Sequence, residues 1–353
     1  MYSFLEVQPA DRGPVDGRSS AVVFRLVAVA AMFGVLGACG GGGGGGGSTP
    51  TPLPPAPSPS GPLDAVMSVP DPVGYDADRL AAFNRLNEIR LSAGLGMLAQ
   101  NRLMDQAAQA HADWEISNDV FGHVEQAGTI GFTGAHWYDR DEALGYTPVA
   151  GGEVAASGAA SVDAVNLLAN LAYHRTIVLA IEPVDIGIGR AGQTVPNVSQ
   201  PMVVDVAVPG NDVARGLGQL AQSSTGGTVI WPVDRAVGVR TTMGSETPNP
   251  VAGSDVLALG TPVSVTVSSS EILSVTSFFL MNMSKNEVVL THLLTKSSDP
   301  NALVPASYVA AIPLAALDSN TTFAVDFEGS VLDPYTNVTT PLSRAWTFST
   351  GSD

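Results

Sequence analysis

The sequence predicts an α+β chain, with a helical first half followed by an all-β second half. Three observations carry that reading. Residues 76–117 hold two runs whose apolar residues recur at helical spacing. From about Thr228 onward, short β-branched or aromatic runs alternate with Gly, Pro, Asn, Asp and Ser. Between the halves lies the Gly/Ser-rich stretch GLGQLAQSSTGG. At 353 residues, 45% of them apolar, the chain is long enough for two domains that each bury a core.

The first element is a leader over residues 1–39. The stretch RLVAVAAMFGVLGAC, Arg25 to Cys39, joins a basic flank to a short apolar core and ends in small residues, as secretion signals do. Its apolar run, 26–38, is shorter than the ~20 residues a membrane-spanning helix needs. The ending resembles a bacterial lipobox, which implies that Cys39 is acylated and becomes the mature N-terminus. Cys39 is the only cysteine, so no internal disulfide is available and lipidation accounts for the lone thiol. Residues 40–74 then form a tether: eight glycines, Gly40 to Gly47, give flexible coil, and the proline-rich segment after them gives a stiffer spacer, together reaching up to roughly 100 Å. The expected location is the cell envelope, anchored through lipidated Cys39, and Gly40 is compatible with outer-membrane sorting.

The folded body starts near Tyr75. Residues 76–92 place Leu80, Phe83, Leu86 and Ile89 on one helical face behind Asp76 and Asp78, and Gly94 ends that helix. Residues 101–117 follow with Leu103, Ala107, Ala110 and Trp114 on one face. A third helix is predicted from Val162 to Leu179 after a long polar, glycine-rich segment. Two strands come next, Asp185 to Gly189 and Pro201 to Val208, the latter continuous enough in apolar residues to be buried on both faces. In the second half TPVSVTV, SVTSFFLM, EVVLTHLL, SYVAAIPL, TTFAVDFEG and RAWTFST read as strands of a sandwich.

The formal charge is −17, and only two lysines exist, Lys285 and Lys296. Nucleic-acid binding is therefore not expected, since neutralising phosphates needs Lys and Arg gathered on one face. The acidity fits a soluble exported surface. The sequence has no G-x-S-x-G elbow, no H-E-x-x-H and no cysteine nucleophile, and its poly-glycine run lacks the strand and helix that make a phosphate loop.

Four of the five histidines, His111, His123, His136 and His174, lie in the first half. His111 shares the apolar side of the second helix and reads as a satisfied core residue. His136 lies beside Asp139 and Asp141 in a polar loop and reads as solvated charge. His123 and His174 have more distinctive surroundings. FGHVEQAG, then GYTPVAGGEVAASG, then a helix ending in AYHRTIVL, then VDIGIG resemble, in that order, the CAP superfamily (SCP-like; cysteine-rich secretory, antigen 5 and pathogenesis-related proteins) over Tyr75 to Val208. The resemblance implies an α-β-α sandwich over 75–210 and a cleft holding His123, Glu153 and His174. It also makes Glu153, rather than the nearer Glu125, the partner of His123. In some family members such a cleft holds a divalent metal, and two imidazoles with one carboxylate would suit zinc. Three departures stand out: Val154 follows the motif glutamate where asparagine is usual, the tryptophan and Ser-Pro-Gly expected before His174 are absent, and the late histidine of eukaryotic members has no counterpart. A structural polar cluster bonding the long loop to the helices therefore stays open beside a metal or ligand site.

After a linker over 211–227, residues 228–353 resemble bacterial Ig-like domains, opening with WPVDRAVGVR and closing with LSRAWTFST. Trp346 and Phe348 should face the core together. The leading functional reading is a membrane-anchored module that binds a lipid, another ligand or an envelope protein, with no residue assigned as catalytic. Two alternatives stay open: a metal-dependent hydrolase using His123, Glu153 and His174, with a metal-bound water as nucleophile, and a structural protein of the cell envelope.

Overall fold

Asp76 caps the first helix, α1 (Ala77–Ser92), by accepting the Arg79 N–H at 2.9 Å, and Gly94 leaves it in the left-handed region at φ 74°. The chain is seen in a computed structural model that describes residues 2–7 by their backbone, together with 64–210 and 221–352. Cys39, the rest of the leader apart from residues 2–7, most of the tether and residues 211–220 lie outside the described residues. No helix among the described residues is long and apolar enough to cross a membrane.

Asn101 caps α2 (Arg102–Asn118) in the same way, accepting from Leu103 N–H at 3.1 Å. Its buried face runs through Met104, Ala108, His111, Ala112 and Glu115 as well as Ala107 and Trp114. Besides His111, the polar residues Asp105 and Glu115 are buried on this helix, which the apolar pattern alone did not mark. The polar segment after it contains a short helix, α3 (Trp137–Ala143), whose Trp137 is fully buried.

The expected third helix is broken. It runs as α4 (Ser161–Asn170), stops where Leu171 turns extended, and resumes as the single turn α5 (Arg175–Val178). The break has a physical cause. The N–H groups of Ala172, Tyr173 and His174 donate to the carboxylate of Glu246 at 2.9, 2.7 and 3.2 Å. The Arg175 guanidinium meanwhile donates to the last carbonyls of α4, Ala169 and Asn170.

The first sheet has the order β1-β3-β5-β4-β2. Its strands are β1 (Tyr2–Val7), β2 (Ala99–Gln100), β3 (Pro148–Ser157), β4 (Asp185–Arg190) and β5 (Met202–Pro209). β1 lies in the stretch the sequence assigns to the leader, yet it pairs antiparallel along β3 from Gly152 to Ser157. Helices cover both faces of the sheet. Ile186 and Ile188 of β4 and Val204 and Val206 of β5 point into a core with Phe83, Leu86, Val165 and Leu168 of α1 and α4. The alternate residues face α2, and there Gly187 and Gly189 leave no room for a side chain: an added Cβ would sit 2.3 and 2.2 Å from α2 backbone.

The second half contributes two sheets. One is β10-β9-β13-β14-β7, made of β7 (Ala236–Val239), β9 (Ile272–Asn282), β10 (Glu287–Val288), β13 (Thr322–Asp333) and β14 (Val338–Thr350). The other is β11-β12-β8-β6, made of β6 (Val229–Trp231), β8 (Val263–Thr266), β11 (Thr291–Leu294) and β12 (Tyr308–Pro313). The run EVVLTHLL is thus divided between the two sheets. Phe278, Phe327, Trp346 and Phe348 fill the space between them.

The β6-containing sheet is covered on its other face too. Tyr308, Ala310 and Ile312 join the same core as α1, α4 and α5, while Val309 and Ala311 face the other sheet. All six residues of β12 are buried as a result. Burying one such side chain stabilises by about 1.5–3 kcal/mol. A chain ending at residue 210 would expose the α4–α5 side of this core and the three amides that Glu246 accepts. We expect such a truncated protein to lack the cooperative thermal transition of the full chain when followed by circular dichroism; a sharp transition at an unchanged temperature would show that the first half is self-sufficient.

Candidate functional site

The α2-facing side of the first sheet carries a buried polar cluster built from separate elements. β3 supplies Glu153, and β5 supplies Asp205 directly opposite it in register. α2 supplies His111 and Glu115, α3 supplies Arg140 and Asp141, and the loop after α2 supplies His123 and Glu125. His123 is 7% exposed and Glu153 0%, so the cluster is closed to solvent rather than open as a cleft.

Glu153 is its centre. His123 Nδ1 lies 2.6 Å from Glu153 Oε1, and Arg140 Nη2 donates to Glu153 Oε2 at 2.5 Å. His111 Nε2 stands 3.8 Å from the same Oε1. Arg140 also donates to the carbonyl of His123 at 3.2 Å, which holds the loop against α3. Glu125, close to His123 in sequence, is turned elsewhere. It meets His111 Nδ1 at 3.0 Å and accepts the Thr133 N–H at 2.6 Å, while His111 Nε2 is 2.7 Å from the carbonyl of Gly122. Glu115 accepts the Gly122 N–H at 3.0 Å.

The electrostatics divide these carboxyls into two kinds. Burial raises the Glu153 pKa, but the charges of Arg140 and His111 and the His123 hydrogen bond outweigh it and hold the group well below the usual carboxylate range. Burial likewise opposes ionisation of Glu125, and the His111 and Thr133 hydrogen bonds together with Arg140 more than offset it. Asp141 goes the other way. Burial, opposed by Arg140 and reinforced by the charge of Glu153, pushes it up to about 8. Asp205 and Glu115 are raised well above their ordinary values, first by burial and then by the negative charges around Glu153. Ionisation is therefore favoured at Glu153, locked to Arg140, and at Glu125 beside His111, while burial favours the neutral form of Asp141, Asp205 and Glu115.

His174 is not part of it. It is fully buried at the break between α4 and α5, where its Nδ1 lies 3.0 Å from Glu246 Oε1. Among the described residues no hydrogen bond or ion pair joins it to His123 or Glu153. The expected convergence of His123, Glu153 and His174 is thus corrected: two residues meet, and the third is taken by the β half. Arg175, beside it, donates to the carbonyl of Pro262 at 2.8 Å and to Ser264 Oγ at 3.0 Å. His136 begins α3, where its backbone N–H donates to Asp139 at 3.1 Å.

A divalent metal does not fit this donor set. Both oxygens of Glu153 are engaged, both ring nitrogens of His111 face oxygens, and the Arg140 guanidinium occupies the place a cation would take. No group of three or more His, Cys, Asp or Glu among the described residues is arranged to hold a metal ion. Sequence reading missed Arg140, Glu115, Asp205 and Glu246, and it took Asp141, which is fully buried in α3, for solvated loop charge. One signal was present: Asp205 interrupts the apolar run PMVVDVAV, and an acid inside a buried strand must be paired or protonated.

These opposed shifts give stability a definite pH dependence. Glu153 and Glu125 hold protons less tightly when folded, so stability rises with pH up to the unfolded carboxylate value of about 4.5. Asp141, Asp205 and Glu115 keep protons that the unfolded chain releases, so stability falls from there through about 8. The melting temperature should peak at mildly acidic pH and decline toward pH 8. Asp141→Asn should flatten that decline in a calorimetric pH series, and an unchanged slope would contradict the assignment.

No known protein-family model matches the chain, and no curated protein matches it. Among solved structures it is similar to an outer surface protein from Borrelia burgdorferi, at 20% identity and a TM-score of 0.32 over 37% of this chain and 91% of that one. It is also similar to an extracellular protein containing a SCP domain from Bacillus anthracis str. Ames, at 21% identity and a TM-score of 0.30. That second match covers 36% of this chain and 38% of the other. Neither likeness by itself assigns this chain a family or an activity.

Proposed function

We propose that the chain is an exported, membrane-anchored module of the cell envelope that works by binding, and that the His123–Glu153–Arg140 cluster is a structural joint rather than a catalytic centre. The observation that carries this reading is the division of the expected trio. A hydrolase built on His123, Glu153 and His174 needs them around one open position for metal and water. Here Glu153 is closed by Arg140 and His123, and His174 is committed to Glu246. A buried ion pair of this kind is strongly destabilising to break, because it leaves one charge without its partner.

Metal analysis of the purified full chain, dialysed against micromolar zinc, should find far less than one zinc per chain. Glu153→Gln should lower the melting temperature, by an amount corresponding to about 3–5 kcal/mol for a broken buried pair. One zinc per chain, lost in both His123→Ala and Glu153→Gln, would overturn the structural reading in favour of the hydrolase. The anchor is tested separately: Cys39→Ala should move the protein from the membrane fraction to the soluble fraction of its export compartment. Wild type found soluble, or the variant retained on membranes, would remove the lipid anchor from the proposal.

A further inference from the structure

Where the two halves meet on the side away from the buried cluster, a cleft of 740 Å³ lies between α1 and α4 on one wall and the segment 231–245 on the other. That volume falls within the ~300–1,000 Å³ typical of small-molecule sites, which favour such junctions. Four features of its lining bear on what it could hold.

α4 presents Asp163 and Asn166, three residues apart on one face, and both line the cleft. Asn166 Oδ1 accepts Arg85 Nε at 2.7 Å, and Glu88 meets Arg85 Nη1 at 3.2 Å, so this guanidinium is held in place with its second amino group still to spend. The opposite wall carries Arg240, whose side chain is exposed and has no hydrogen-bond partner among the described residues. The same wall includes half-buried Trp231, which lines the cleft and also packs against the core. Two arginines face one aspartate in this lining, and because Arg85 is also paired with Glu88 the guanidinium left for a ligand's charge is chiefly that of Arg240.

We propose that this cleft is a binding site for an acidic saccharide of about disaccharide size. A sugar ring offers a C–H face to stack on an indole and vicinal hydroxyls that donate to a carboxylate and accept from an amide. Trp231, Asp163 and Asn166 supply those three partners, and the ring's carboxylate pairs with the fork of Arg240 in the bidentate way its planar geometry favours, with the remaining amino group of Arg85 as a further donor. A fatty or aromatic acid could use the arginines and Trp231 equally well. It would, however, press apolar atoms against Asp163 and Asn166 and strip their water without replacing it. The site shares no residue with the His123–Glu153 cluster, so the two proposals stand or fall apart.

The test is calorimetric titration of the detergent-solubilised full chain with three probes: a panel of uronic-acid disaccharides and lactyl-bearing amino sugars, their neutral counterparts, and indole-3-acetate. At least one acidic sugar should bind with a Kd below about 1 mM, and its neutral counterpart at least about tenfold more weakly. Arg240→Ala and Trp231→Ala should each weaken binding about tenfold or more. Because Arg240 is exposed, its removal leaves the fold intact, which keeps the test valid if Trp231→Ala destabilises the protein. No heat from any acidic sugar at about 10 mM, equal binding of the neutral counterpart, tighter binding of indole-3-acetate, or an unchanged Kd in Arg240→Ala would overturn the assignment.

Discussion

The carboxylate of Glu246 is the contact on which the architecture turns. Three consecutive backbone amides and the ring of His174 converge on it, all from the other half of the chain. Each amide would otherwise be an orphaned donor inside the protein, at a cost of about 1–3 kcal/mol apiece. Hydrogen bonds to a charged group are among the stronger ones, about 1.5–3 kcal/mol each. That one side chain satisfies the backbone freed in the gap between α4 and α5 and ties it to the second half, next to the Arg175 contacts with Pro262 and Ser264 and the shared apolar core.

The cluster around Glu153 follows a different logic. It gathers five acids and a single arginine in a closed space, which would be untenable if all five were ionised. The structure settles this by concentrating the negative charge. Glu153 takes Arg140 and His123, Glu125 takes His111 and two backbone amides, and burial shifts Asp141, Asp205 and Glu115 toward the neutral form. Such an arrangement pins a long loop to two helices and a strand, alongside the bonds Trp114 and Asn118 make to Thr129 and Ile130.

Much of the element order was legible in the sequence, and the exceptions have reasons. α1 and α2 carry capping residues and helical spacing, so both were readable to within a residue or two. β3 was not read as a strand because its run PVAGGEVAAS is Gly- and Ala-rich, and its pairing comes from neighbours rather than propensity. The break after Asn170 leaves no mark in its own segment, since the residue that causes it lies 76 positions away. The meeting of His123 with Glu153 could be taken from motif order, whereas Arg140 and Asp205 enter from elements whose packing only the fold reveals. His174 illustrates the limit of motif transfer: a residue placed by local resemblance was claimed by a carboxylate from outside the region of resemblance.

The sheet that is buried on both faces also bears on how such a chain can change over generations. Ig-like modules strung as beads exchange, duplicate or drop out because little of their surface belongs to a neighbour. Here β12 is packed from two sides, and half of its side chains belong to a core laid down by helices far earlier in the chain. Recombination at the Gly/Ser-rich junction would hand the helical half a foreign sheet with the wrong side-chain relief. A side chain of different volume at Tyr308, Ala310 or Ile312 would therefore have to be met by repacking in the helices of the first half.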